Sequence, residues 1–143
     1  MVRINLIRPK NLADQHLIAE YDEILMLLGD IRKNPNLNIE KIPRNYCLGK
    51  GHILFFKNKL AYLKERHELL KKEMIQRGFR PKIMINMKEF KKELKNGWIP
   101  KEEDKQIIKN RLIKKIDLKP YFYRYYRKRM PKAFLINLIK NSR

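Results

Sequence analysis

The chain predicts a mainly helical fold, on three observations. Three long stretches carry apolar residues at helical spacing, and each is bounded by Asn, Pro or Gly. The one short apolar run that competes as a strand, Ile83-Met84-Ile85, is too brief to build a sheet. The first helix is expected over about residues 11–29, with Asn11 as its cap and Asp14 in the first turn, where the helix dipole favours a carboxylate. Leu17, Tyr21, Ile24 and Leu28 make its i, i+4, i+7, i+11 stripe. Roughly 130° round the helix, at 100° per residue, His16, Glu20 and Glu23 share a polar flank that could line a groove.

A second helix is expected over roughly residues 59–77, with Asn58 as cap and Gly78 as a left-handed stop. Leu60, Leu63, Leu70 and Met74 form its buried stripe, Lys64, Lys71 and Lys72 look outward, and His67 beside the stripe reads as a packed or half-exposed ring. Pro100 opens the third helix, the acidic trio Glu102, Glu103 and Asp104 fills its first turns, and Lys119-Pro120 ends it. Ile108, Leu112 and Ile116 supply the buried seam, with Arg111 and Lys115 four residues apart along its edge, spaced to reach one line of phosphates. Between the long helices, Asn34-Pro35-Asn36 and residues 39–45 read as irregular loop. Residues 87–95 read as a small helix capped by Asn86, and Trp98 as a core residue beside a Gly-Trp-Ile-Pro turn. Residues 133–139 could pack on the surface as an extra helix.

A length of 143 residues fits one domain, 1–143, with 130–143 as a C-terminal extension. At this size about 68–70% of the unfolded surface can be buried without staples. The net charge of +20 is uneven: residues 1–50 carry +2 and residues 101–143 carry +10. Such a field favours a polyanion, with nucleic acid ahead of an anionic membrane surface, and makes binding salt-dependent. Cys47, the only cysteine, rules out an intrachain disulfide and reads as a small buried hydrophobe in a reducing compartment. The apolar run 133–139 is far shorter than the ~20 residues a bilayer requires, and the N-terminus has no signal-peptide core. A soluble, intracellular, DNA-associated monomer is therefore expected.

Two segments carry candidate binding chemistry. In Gly49-Lys50-Gly51-His52 the glycines allow close backbone approach to a phosphate, with a plain tight turn as the equal alternative. No Lys-Ser/Thr pair follows, which argues against nucleotide hydrolysis. Residues 121–129 interleave aromatics with cations, a pattern that stacks on bases while holding phosphates, and about half of these rings are expected to be buried. A third segment carries reaction chemistry. Once Met1 is removed, Val2 bears an α-amine of intrinsic pKa about 7.7–8.0, unprotonated often enough near neutral pH to attack an electrophilic C1′ or carbonyl and form a Schiff base. A nearby carboxylate could then manage the protons of an elimination.

Val2-Arg3-Ile4-Asn5-Leu6, followed by Leu12-Ala13-Asp14-Gln15-His16-Leu17-Ile18-Ala19-Glu20-Tyr21-Asp22-Glu23, resembles the start of the pyrimidine-dimer DNA glycosylase family, the phage-type endonuclease V that acts on ultraviolet damage. Agreement continues in order through Leu48-Gly49-Lys50-Gly51-His52 with Phe55-Phe56, Lys59-Leu60, Gln76-Arg77-Gly78-Phe79, Ile99-Pro100, Arg111-Leu112 with Lys115, and Tyr123-Arg124-Tyr125-Tyr126. Residues 29–43 and 80–95 align poorly. The resemblance implies an all-α, single compact domain with three main helices and long irregular loops. In it the N-terminal segment is inserted between the first and third helices, so that its amine meets Glu23.

The implied activity is base excision of cyclobutane pyrimidine dimers in double-stranded DNA, with abasic-site lyase action and without metal or cofactor. Val2 would be the nucleophile, Glu23 the proton-handling carboxylate and Arg3 the brace on the lesion. DNA contacts would fall on Arg3, Gln15, His16, Lys50, His52, Arg111, Lys115, Tyr123, Arg124 and Tyr125. The chain departs from the family pattern at Val2, where threonine is usual, and at Asp22 and Met26, where arginines usually flank the glutamate. The last two remove positive charge from the DNA-facing side, which implies weaker clamping or a shift toward another damaged base or abasic sites. The alternatives are an abasic-site lyase or glycosylase for a different lesion, and a non-catalytic basic nucleic-acid-binding protein.

Overall fold

Helix α1, Asp14–Lys33, carries the longest apolar stripe of the chain, and Leu17, Tyr21, Ile24 and Leu28 are all buried as its spacing predicts. The computed structural model describes residues 3–143; Met1 and Val2, and with them the expected nucleophile, lie outside the described residues. Asn11 does not cap α1. It ends a short 3-10 turn, Pro9–Asn11, and its side-chain amide donates to Leu138 O at 2.7 Å, so Ala13 takes the cap position with no side-chain bond. The helix also runs a turn past Gly29, since a glycine without a following turn signal costs a helix only about 1 kcal/mol.

A short helix not anticipated from sequence, α2 (Gly51–Phe56), follows the glycine pair and leads into α3 (Leu60–Gln76). Gly78, at φ 91°, ends α3 as expected. Asn58 does not cap α3: its side chain accepts from Lys59 Nζ at 2.9 Å instead. The expected small helix at 87–95 is two separate 3-10 turns, Met87–Glu89 and Lys92–Leu94, the first capped by Asn86. Helix α4, Glu102–Leu118, is the third long helix, and α5, Lys132–Lys140, is the tail helix, seated through Leu135 and Ile139. The fold is all-α apart from a two-stranded hairpin.

The core draws on all of these elements. Ile4, Ile7 and Leu12 from the N-terminal lead, Leu17 and Ile24 from α1, Leu60, Leu63 and Leu70 from α3, and Ile108, Leu112 and Ile116 from α4 are completely buried. Trp98 packs with its ring 5.1–6.1 Å from Tyr46, Phe55, Phe56 and Tyr62, the core role its turn implied. Cys47 is half-buried rather than enclosed.

Two buried arginines of α3 bind the layers together. Arg66 grips Glu20 of α1 through both carboxylate oxygens, at 2.6 and 3.0 Å, and donates to Ile7 O at 2.6 Å. Arg77 donates to Asp14 at 2.9 Å, to Glu73 at 2.8 Å and to Leu12 O at 2.8 Å. Burial with each guanidinium nitrogen engaged, Arg77 Nη2 donating to Pro9 O at 3.1 Å, is the condition under which such pairs hold rather than weaken a core. Glu20 is therefore not part of an open polar flank; it is fully buried.

The hairpin pairs β1 (Arg124–Tyr125) with β2 (Lys128–Arg129) through a two-residue turn, and Tyr126 and Arg127 both lie at positive φ, 53° and 65°. That is a type I′ turn built without Gly or Asn, a conformation that costs each residue ~1 kcal/mol or more. The Asp14 carboxylate offsets it by accepting both turn N–H groups, at 3.1 and 2.6 Å. Of the five rings in residues 121–126, only Tyr123 is buried and Tyr125 half-buried. Tyr121 is 83% exposed, so more of this segment faces solvent than the expected half. Among the described residues no helix is long and apolar enough to cross a membrane.

Candidate active site and nucleic-acid interface

The lead from Arg3 to Ile7 is extended and held by side chains from three directions. Arg3 Nε donates to Leu48 O at 2.8 Å. Both backbone groups of Ile4 are engaged: its N–H donates to His52 Nε2 at 2.9 Å, and its carbonyl accepts from the Tyr46 hydroxyl at 3.2 Å. Leu6, at φ 60°, then turns the chain sharply, with Ile7 N–H bonded to Asn5 O at 2.6 Å, and Arg66 fixes Ile7 beyond the bend.

This lead opens onto a cavity of about 160 Å³ lined by Arg3 and Asn5, His16 and Ala19 of α1, Arg111 and Lys115 of α4, and Tyr123. Arg3 and Asn5 of the lead thus share one cavity with the first and third long helices. Five of the sequence candidates, Arg3, His16, Arg111, Lys115 and Tyr123, meet here. Asn5 and Ala19 were not anticipated. Asn5 is buried, and its Oδ1 has no hydrogen-bond partner among the described residues.

The electrostatics of the cavity suit an anion. Burial and the neighbouring Arg3 both disfavour the charged form of Arg111, a crowding that a phosphate would relieve. His16 packs at a tilt of 33° against Tyr123 with ring centroids 4.6 Å apart, and burial, reinforced by Arg111 and Lys115, pulls its pKa down to about 4. The ring is therefore neutral near pH 7 and offers stacking and hydrogen bonding rather than charge.

Glu23 is half-buried one turn farther along α1, in an adjoining cavity with Met26, Asp30, Lys33 and Ile53. Burial raises its pKa above the ordinary carboxylate range, and the Arg3 charge partly opposes that rise. A carboxylate so tuned is suited to accepting and returning protons. Asp22 and Met26 are exposed beside it, Met26 at 66%.

Other candidates sit elsewhere. Lys50 is exposed at the start of α2, and Arg124 is exposed on the hairpin. Three carry structural bonds that the sequence did not suggest. His52 is 1% exposed, with both ring nitrogens used internally, Nε2 on Ile4 and Nδ1 on Cys47 O at 2.8 Å, so it sits beneath the surface rather than on a phosphate. Gln15 donates to Phe122 O and accepts from Arg124 N–H, both at 2.9 Å, anchoring the hairpin. Tyr125 is half-buried, donates its hydroxyl to Lys10 O and lies under the Arg77 guanidinium.

A second groove, lined by Ile18, Phe79, Tyr121, Phe122, Arg124 and Arg127 among others, runs beside the first cavity along α1. Of the sequence candidates in the aromatic and cationic run, Arg124 lines this groove, whereas Tyr123 and Tyr125 turn inward. Among the described residues no group of three or more His, Cys, Asp or Glu side chains could hold a metal ion. A family model described as pyrimidine dimer DNA glycosylase matches residues 1–87, the span of the lead, α1, α2 and α3.

Proposed function

This chain belongs to the pyrimidine dimer DNA glycosylase family, and from that premise we propose that residues 1–143 act as one domain that excises cyclobutane dimers and nicks the strand as an abasic-site lyase. The observation that carries the proposal is the seating of Arg3 in one cavity with His16 of α1 and with Arg111 and Lys115 of α4, its charge acting on Glu23. A duplex gripped by this basic surface would be kinked and a nucleotide taken out of the stack.

After removal of Met1, the Val2 amine attacks C1′ of the 5′ nucleoside of the dimer. The C1′–N bond breaks, its electron pair leaves with the base, and the base takes up a proton. The bound nitrogen then loses a proton, which frees an electron pair; that pair forms the second bond to C1′ as the C1′–O4′ bond breaks and O4′ takes up a proton, giving a protonated imine. Glu23, as carboxylate, assists the first step and then removes a C2′ proton; the 3′ C–O bond breaks and the phosphate leaves. Water hydrolyses the imine and regenerates the amine. Arg3 braces the lesion, and Arg111 and Lys115 hold phosphates.

A second reading, preference for an abasic site or another damaged base, is favoured by the exposed Asp22 and Met26 beside Glu23, which carry no positive charge to hold DNA. Borohydride reduction during turnover tests the chemistry. Covalent capture of damaged duplex by protein whose Met1 is shown by mass analysis to be removed is the expected result. Failure of capture leaves a non-catalytic binding protein. Dimer-containing, abasic and ring-opened purine duplexes, compared in the same assay, separate the two enzymatic readings.

A further inference from the structure

We propose that His52 and Tyr46 are positioning residues for the reaction: together they hold the Ile4 peptide, and through it they set where the N-terminal amine two residues earlier meets the substrate. This rests on the amine being the nucleophile.

The hydrogen-bond inventory admits one arrangement. Ile4 N–H is a donor, so His52 Nε2, 2.9 Å away, must be the unprotonated nitrogen. The single ring proton then sits on Nδ1 and is donated to Cys47 O at 2.8 Å, which fixes the ring's orientation from behind. On the other side of the same residue, Ile4 O accepts from Tyr46 O–H. The rings of Tyr46 and Phe56 pack against the imidazole at centroid distances of 5.3 Å each, and His52 and Tyr46 are almost fully buried. Arg3 Nε is tied to Leu48 O in the same loop. The loop and α2 therefore hold residues 3 and 4, while Arg66 holds Ile7 beyond the bend at Leu6. His52 and Tyr46 supply these bonds without lining the cavity that Arg3 and Asn5 share with Arg111 and Lys115.

A nucleophile at the amino end has no side-chain rotamer to lock and no preceding peptide to restrain it. Its position is inherited from the first residues that are fixed. Misplacement by about 1 Å is enough to cost ~10²-fold in rate through lost attack geometry, without any change in substrate grip. The role separates from general stability because two near-isosteric replacements break different bonds. Glutamine places an amide oxygen near the Nε2 position and can still accept from Ile4 N–H. Asparagine reaches only the Nδ1 position, keeps the Cys47 bond and leaves Ile4 N–H without its acceptor.

The test is steady-state strand cleavage and single-turnover borohydride trapping for wild type, His52→Gln, His52→Asn and Tyr46→Phe, with DNA affinity and thermal melting measured alongside. The expected result is that His52→Asn loses about 10- to 100-fold in kcat and trapping rate with DNA affinity within about 3-fold of wild type. His52→Gln restores most of that loss at equal or lower melting temperature, and Tyr46→Phe loses up to about 10-fold. Equal rates for the Gln and Asn variants would overturn the inference. If His52→Asn does not fold, Tyr46→Phe decides: a lowered kcat at unchanged affinity supports positioning, and an unchanged kcat overturns it. Absence of trapping in the wild type would instead overturn the amine mechanism itself, so the two failures are distinguishable.

Discussion

His67 offers a direct test of the energetics of this core. The ring is completely buried and stacked on Tyr21 at 4.5 Å, with planes 20° apart, yet neither ring nitrogen has a hydrogen-bond partner among the described residues. Leaving a buried donor or acceptor unmade costs about 1–3 kcal/mol. Phenylalanine would keep the stack and remove both polar atoms, at about 1 kcal/mol or more for fitting a slightly larger ring. His67→Phe is therefore expected to stabilise the protein by about 1–2 kcal/mol at pH 7.5. The gain should grow in acid. Burial lowers the His67 pKa from 6.5 to about 4, so between those values the unfolded chain binds a proton that the native state does not. The wild type therefore loses stability as pH falls through that window, by up to about 1.4 kcal/mol per pH unit from this ring. The advantage of the phenylalanine variant should widen by about 2 kcal/mol between pH 7.5 and pH 5, because His52, equally depressed, is present in both proteins and cancels. Urea unfolding at the two pH values and constant salt reads both numbers. A variant less stable than wild type by more than 1 kcal/mol at pH 7.5, or a pH-independent difference, would refute the reasoning.

Three further outcomes are expected. Arg111→Ala and Lys115→Ala should each weaken binding to duplex DNA and lower the slope of log affinity against log salt by about one, measured by fluorescence anisotropy. Glu23→Gln should bind damaged DNA as the wild type does but lose strand cleavage; cleavage retained on a sequencing gel would remove Glu23 from the mechanism. Arg66→Met should destabilise the protein by about 3–5 kcal/mol in chemical denaturation because Glu20 is left buried and unpaired, whereas Arg66→Met with Glu20→Leu should recover much of that loss.

The helices were legible because apolar spacing is a local property: all three long stripes are buried, and Gly78 and Pro120 stop α3 and α4 as read. Asn86 caps its turn as read, but Asn11 and Asn58 do not cap helices, because their side chains are taken by the distant Leu138 O and by the adjacent Lys59 Nζ. The same blindness misassigned Glu20, whose place on the His16–Glu23 flank gave no sign of a guanidinium 46 residues away. Arg3, His16, Arg111, Lys115 and Tyr123 were named as candidates from the resemblance, and their meeting in one cavity depends on long-range packing that no spacing contains. Nor does the sequence show that the candidates Gln15 and His52 bond the hairpin and Ile4.

The departures at Asp22 and Met26 bear on the chemistry as much as on the grip. Arginine at either place would add a cation near Glu23, and a cation within a few ångströms favours the ionised carboxylate and lowers its pKa. In this chain burial dominates and the Arg3 charge opposes it, so Glu23 stays on the raised side of its ordinary range. The trade is a weaker hold on phosphates against a stronger base. Met26, 66% exposed and one turn from Glu23 in the same cavity, is the position at which to reverse it. Met26→Arg is expected to tighten binding to damaged duplex and to depress the Glu23 pKa. Because the carboxylate is the form that removes the C2′ proton, the acid limb of the cleavage profile should move to lower pH while the plateau rate falls or holds. The measurement is single-turnover cleavage of a pre-bound abasic duplex from pH 4 to 8. An acid limb that stays in place while affinity rises would mean that Glu23 is out of reach of residue 26 and that its protonation does not set the limb.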